Sequence, residues 1–309
     1  MARQRRTLRE LTIKDNFMFA AVMLEPDNAK GLLELALGIQ VDHVEISYEK
    51  SIVYNPEYKG VRLDVFLKDE AGTHFNVEMQ ATSQKLEKRS RYYHNQIDME
   101  MLVSGADYET IPDSFVLFIC DYDPLGLRKY RYTVRHTLEE DGTYDYIDGS
   151  HTVFLSTVGT NEEDVPEALV KFLKYVAAEP NASEEDYGDS FVTQLQKSVR
   201  KIKESRDMEG RYMIFEEMMK NEYKMGQEDG RKEGKIEGKI EGKIESIIYF
   251  LSLRFKVSDE LSKKLYSVKD ENTVSNLLIT ATGVVSVDEF EAELEKVLMN
   301  QVESTENQK

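Results

Sequence analysis

Apolar positions fall in helical register from the start of the chain. Phe17, Met18, Ala21 and Val22 stand at i, i+1, i+4 and i+5, and Leu32, Leu33, Leu35, Ala36 and Leu37 follow, which predicts helix over 14–37. Glu25-Pro26-Asp27-Asn28 divides this stretch, because proline is tolerated in a helix's first turn but not in its interior. Gly38 is placed to end the second helix. Strand-like segments come next at 43–54, 61–68 and 73–80, then a helix over 85–104 closed near Gly105. Residues 115–120 are continuously apolar, as suits a strand buried on both faces. Residues 129–137 alternate and 151–156 form another short strand. The order of elements predicts a mixed α/β core, with meander strands first and a crossover helix later.

From about 164 the pattern turns helical, over 164–178 and 184–224, with a boundary around Glu179-Pro180-Asn181-Ala182-Ser183. Gly226, Gly230, Gly234, Gly238 and Gly242 then recur every four residues, and Gly-Lys-Ile-Glu occurs three times from Gly234 to Glu245. A glycine costs roughly 0.8–1.0 kcal/mol against alanine inside a helix, and this repeat sets like charges at i, i+4. The segment is therefore either a flexible linker or a long helix whose glycine stripe admits a partner helix. Helix formers on both sides favour the helix, packed on a second protomer as a homodimer. The organisation expected is a core over 1–160, a helical extension over 161–225, the repeat at 226–245, and C-terminal helices over 246–309 with a frayed tail.

Composition narrows the class. One cysteine in 309 residues excludes a disulfide scaffold and a Cys-based zinc site. No apolar run is long enough to span a membrane, and Met1-Ala2-Arg3-Gln4-Arg5-Arg6 leads into no signal-like apolar region, so a cytoplasmic protein is expected. The net charge of −18 argues against a general nucleic-acid binder, since phosphate contacts need Lys and Arg. Its distribution changes that picture. Residues 1–100 carry 14 basic and 16 acidic side chains, whereas 101–309 carry 26 and 42. The near-neutral first third keeps basic clusters at Arg3, Arg5, Arg6 and Arg9 and at Lys85, Lys88, Arg89 and Arg91. Such a module can hold DNA if a metal or a focused groove offsets the field of the whole molecule.

Residues 61–80 carry the chemistry. With Glu70-Ala71-Gly72 as a three-residue hairpin loop, Gly72 supplies the left-handed position and Asp69 faces Thr73. Counting back pairs Leu67 with Phe75, Val65 with Val77 and Leu63 with Met79, three apolar pairs on one face. The other face then sets Asp64 opposite Glu78 and Arg62 opposite Gln80, and Phe66 beside Asp64 implies a partly covered face. Carboxylates with Cβ atoms roughly 4.5–5.5 Å apart repel unless a cation lies between them or one takes a proton. A divalent metal suits hard oxygen ligands, and the backbone carbonyl of Met79 offers a third. The plain alternative is the solvent face of a sheet.

An acidic residue on one strand, then Glu-X-Gln ending the next, in the order helix, three strands, helix, strand, resembles the PD-(D/E)XK nuclease superfamily. More narrowly the chain resembles its recombination-promoting nuclease and transposase branch. The motifs are Asp15 with Phe17 in the first helix, Arg62-Leu63-Asp64-Val65, Asn76-Val77-Glu78-Met79-Gln80, Arg91-Tyr92-Tyr93 with Gln96, and Gly105 with Tyr108. The glycine-punctuated Lys/Glu repeat is a habit of the same branch. The resemblance covers roughly residues 10–160 and implies a restriction-endonuclease-like fold.

It also implies metal-dependent hydrolysis of DNA phosphodiesters in recombination or transposition, with Mg²⁺ as cofactor and Mn²⁺ as substitute. Asp64 and Glu78 are then ligands, and Asp15 adds an acidic group to the metal's outer shell or is simply an exposed helix residue. The family's usual lysine is Gln80 here, which orients water but brings no charge. Leu63 stands where the family usually has proline, a structural position. Lys85, Lys88, Arg89 and Tyr92 follow helical spacing and Gln96 continues it, which makes that face either the DNA-facing element or a solvated one. His43, His74, His94, His136 and His151 show no ligand spacing, and Asp121 and Asp123 before Pro124 suit a turn. Two other readings compete with the endonuclease: an inactive DNA- or protein-binding module on the same fold, and an interaction protein acting through its acidic helical half.

Overall fold

The structure, a computed structural model, describes residues 6–52, 61–102 and 104–306, and side chains throughout these except at 48–52, 61–62 and 300–306. The expected strand end at 53–54 and the side chain of Arg62 lie outside the described set. The chain divides into two compact units, Met1–Phe215 and Glu216–Lys309.

The first unit opens with α1 (Asn16–Met23) and α2 (Pro26–Leu37). Pro26 starts α2 and Gly38, at φ 71°, ends it, as the sequence predicts. β1 (Val44–Ile52), β2 (Val61–Asp69) and β3 (His74–Gln80) form an antiparallel meander. The crossover helix α3 (Glu87–Met101) leads to β4 (Ser114–Cys120), parallel to β3. β5 (Arg131–Thr133) and β6 (Ser150–Ser156) complete a mixed sheet ordered β1-β2-β3-β4-β6-β5, with β6 parallel to β4 and β5 antiparallel at the edge. The alternation at 129–137 yields only the three residues of β5.

Both faces of the sheet are covered. One, bearing Val65, Leu67, Phe75, Val77, Leu117 and Leu155, packs on α1 and α2 and on α4 (Glu167–Ala177) and α5 (Ser190–Glu204). The helices expected as an extension after residue 160 thus share the sheet's own core. The other face, with Phe66, Val116, Phe118 and Phe154, packs under α3 through Tyr93 and Ile97. Ser90, Tyr93, His94 and Ile97 form a buried i, i+3, i+4, i+7 stripe on α3, with Gln96 buried beside it.

In the second unit the repeat is helical, part of α6 (Arg206–Ser252). Ile240, Ile244, Ile247 and Leu251 pack with Leu265, Leu277 and Phe290 of α7 (Asp259–Tyr266), α8 (Glu271–Gly283) and α9 (Val287–Glu306). Lys239 and Lys243 lie 3.5 and 2.9 Å from Glu271, an opposite charge that offsets their mutual repulsion.

Candidate active site

The hairpin forms as its sequence requires. Gly72 has φ 87°, its N–H donates to the Asp69 carbonyl at 3.1 Å, and Asp69 N–H donates to the Thr73 carbonyl at 3.1 Å. Leu67 pairs with Phe75 and Val65 with Val77. There the β2–β3 ladder stops among the described residues. Beyond it, Asp64 N–H donates to Glu78 Oε1 at 3.2 Å and Met79 N–H donates to Asp64 Oδ2 at 3.3 Å. Each carboxylate thus takes a backbone donor from the strand opposite. Leu63 departs from the expected pairing with Met79: it joins the α3-side cluster of Phe66, Leu86 and Tyr93, because strict alternation lapses where the ladder opens.

Glu78 is wholly buried, at 0 % exposure, and Asp64 is half-buried. Burial first, and then the Asp64 charge, push the Glu78 carboxyl up to about 8, against the opposing pull of Arg89. Arg89 Nη2 donates to Glu78 Oε2 at 2.7 Å, Nη1 to Gln80 Oε1 at 3.0 Å and Nε to the Tyr93 hydroxyl at 2.6 Å. Gln84 Nε2 also donates to Gln80 Oε1. Asn76, two residues before Glu78 on the same strand face, donates from Nδ2 to Glu78 Oε1 at 3.2 Å. Its own Oδ1 is buried with no hydrogen-bond partner among the described residues.

The structure therefore brings Asp64, Glu78 and Gln80 together at one end of the sheet. A strand residue turns its N–H and C=O to the same side, so the Met79 carbonyl lies toward β2 where the ladder has opened. This donor set fits a divalent cation: two neighbouring carboxylates, the Met79 carbonyl facing β2, and a buried Asn76 oxygen with no donor among the described residues. No group of three or more His, Cys, Asp or Glu side chains gathers here or elsewhere among the described residues, so a metal here would rely on backbone and water for its remaining ligands.

Asp15 is engaged locally. Its Oδ2 accepts the Thr12 N–H at 2.8 Å and its Oδ1 accepts from Arg6, a local turn before α1. The five residues expected on one DNA-facing surface do not share one. α3 begins at Glu87, so Lys85 precedes the helix and its helical spacing to Lys88 does not hold. Lys85 and Lys88 are exposed, Arg89 and Tyr92 half-buried, and Gln96 buried. Arg89, expected toward DNA, contacts Glu78 instead, and Asn76, Tyr93 and Gln84 are neighbours of the carboxylates that the sequence reading does not single out; the period-two step from Asn76 to Glu78 is the signal that marks Asn76. His94 is structural, with Nδ1 at 2.8 Å from Ser114 Oγ and Nε2 at 3.0 Å from Thr152 Oγ1. Asp123 caps its turn, accepting the N–H groups of Leu125, Gly126 and Arg128.

A family model described as PD-(D/E)XK nuclease family transposase matches residues 26–227. The chain belongs to that family. The match takes in Asp64, Glu78 and Gln80 and leaves Asp15 outside, and the six-stranded mixed sheet with flanking helices fits the restriction-endonuclease-like fold. Searches of curated proteins and of solved structures each found no match. Among the described residues no helix is long and apolar enough to cross a membrane. A nuclease- or transposase-like function, with DNA as substrate, follows from the family.

Proposed function

We propose that this protein is a metal-dependent DNA endonuclease whose site is the Asp64–Glu78–Gln80 end of β2 and β3, acting in recombination or transposition. One observation carries the reading: a wholly buried carboxylate, Glu78, is held against a second carboxylate, Asp64, which raises its proton affinity. A fold tolerates that repulsion where a cation is part of the finished site. Asp64 and Glu78 would hold Mg²⁺ or Mn²⁺, with the Met79 carbonyl as a third oxygen. When bound, such an ion lowers the pKa of water and neutralises phosphate charge. The Gln80 amide orients the attacking water, and exposed Lys85 and Lys88 hold flanking phosphates. A homodimer through α6 would suit cutting of two strands; Ile214, Met218 and Met225 are exposed on that helix.

The test is nicking of supercoiled plasmid with Mg²⁺ or Mn²⁺. Asp64→Ala and Glu78→Ala should abolish it while leaving the circular dichroism spectrum intact. Absence of cleavage by wild type with either metal, with both variants still retaining DNA on filters, would favour the second reading, a DNA-binding module without chemistry. The neutral Gln80 and the Arg89 bond to Glu78 are what favour that alternative.

A further inference from the structure

We propose that Arg89 is a built-in counter-cation of the site: it holds Glu78 in the metal-free protein and gives up Glu78 Oε2 when a divalent ion enters. This rests on the metal reading of Asp64 and Glu78 and adds how that site is kept ready.

The guanidinium is directed inward, not toward solvent. Its three donors go to Glu78, Gln80 and Tyr93 at 2.7, 3.0 and 2.6 Å. It lies 5.0 Å from the Tyr93 ring centroid and 5.8 Å from that of Phe118, within cation–π range. Those rings stack on each other, and Phe118 stacks on Phe154, so the platform is rigid. Three of the five N–H donors are thus directed to the site and away from a DNA phosphate, the partner its place in a basic cluster suggests.

The two oxygens of Glu78 are served differently. Oε1 is fixed by the Asp64 N–H and by Asn76. Oε2 takes the charged donor, Arg89, and at 3.4 Å the Tyr93 hydroxyl. The carboxylate therefore keeps its place when Oε2 changes partner. The Arg89 side chain is 30 % exposed, which gives it room to pivot, and Gln80 Oε1 retains Gln84 as a donor after it leaves. A fixed positive charge on a ligand oxygen opposes an incoming cation, so Arg89 sets the metal affinity of the site below what the carboxylates alone would give.

The experiment is calorimetric titration of the full chain with Mn²⁺, paired with thermal melts in EDTA and in Mn²⁺. Arg89→Gln should bind Mn²⁺ at least about tenfold more tightly than wild type, about 1.4 kcal/mol. It should also melt lower than wild type in EDTA and recover in Mn²⁺. A purely structural arginine would lower both melts alike. Arg89→Lys keeps the charge without the fork and should keep Mn²⁺ affinity near wild type. If wild type binds Mn²⁺ and Asp64→Ala abolishes binding, yet Arg89→Gln binds no more tightly, the Arg89 proposal fails and the metal site stands. If wild type takes up no Mn²⁺, both fall. Should Arg89→Gln not fold, the Arg89 Nε–H resonance of wild type decides: it should shift on Mg²⁺ addition, and an unchanged resonance at high Mg²⁺ overturns the proposal.

Discussion

Glu78→Gln separates what the site costs from what it does. The substitution keeps the shape of a fully buried side chain and removes its charge. In the native protein the Glu78 carboxyl is displaced upward from 4.5 to about 8 by burial and by Asp64. The native state therefore binds a proton that the unfolded chain has already released at intermediate pH. Stability thus falls as pH rises from about 5 and levels off above the native value. Each unit of displacement is about 1.4 kcal/mol, so the ionised carboxylate costs at most roughly 4 kcal/mol at pH 8. Glutamine behaves like the protonated acid except where its amide meets the donors on Oε1, so a gain of about 1–4 kcal/mol is expected in EDTA at pH 8. For a unit of this size that is about 2–4 °C in Tm for each kcal/mol. The assay is urea unfolding in EDTA from pH 5 to 9, wild type against Glu78→Gln. The variant should be the more stable at pH 8, should lose the fall between pH 5 and 8, and should gain nothing from Mn²⁺. A variant less stable than wild type at pH 8, with a wild-type profile flat across that range, refutes the reasoning.

Two further predictions concern other parts of the chain. His94 is held near 4, first by burial, so the native state binds fewer protons than the unfolded chain between that value and 6.5, and stability falls on acidification through this window. The loss should reach on the order of 3 kcal/mol near pH 4, and His94→Gln should flatten that acid limb in urea melts. In α6, a Cβ at Gly226, Gly230 or Gly234 would meet nothing within 4 Å, so alanine at each should stabilise the helix by about 0.8–1.0 kcal/mol. Slower amide hydrogen exchange over 222–240 checks this; if a second copy packs on those glycines, the triple variant should instead lower the dimer fraction in sedimentation equilibrium.

Much of the site was legible because a hairpin is a short-range object. Period-two alternation and one glycine at a left-handed position set the Val65–Val77 register, and from it the approach of Asp64 to Glu78. Leu63 was misread because alternation holds only while the ladder does. Arg89 reads as surface because it is a charged residue one step from the buried stripe; the later start of α3, at Glu87, takes only Lys85 out of the helical spacing. The helix expected over 184–224 is divided by the Asp189 cap, which accepts the Val192 N–H, and by a break at Ser205. Propensity alone does not reveal such caps within a polar, helix-forming stretch. The fate of the glycine repeat depended on contacts far along the chain, with Glu271 and the core around Phe290, which no local pattern encodes.

The opening of the ladder past Val65–Val77 is the feature that joins fold to chemistry. A continued antiparallel pair would have set Leu63 against Met79 and given the Met79 N–H to the Leu63 carbonyl. Here the Met79 N–H goes to Asp64 Oδ2 instead, and the Asp64 N–H turns to Glu78 Oε1. Bonds of this kind, from N–H to carboxylate, are charge-assisted. The same step lets Leu63 turn under α3, where it helps roof the Glu78 side of the sheet. The backbone donors on both carboxylates and the apolar roof therefore accompany one local departure from regular pairing. A buried glutamate near the end of β3 is thus out of place as a piece of hydrophobic core and in place as half of the proposed cation site.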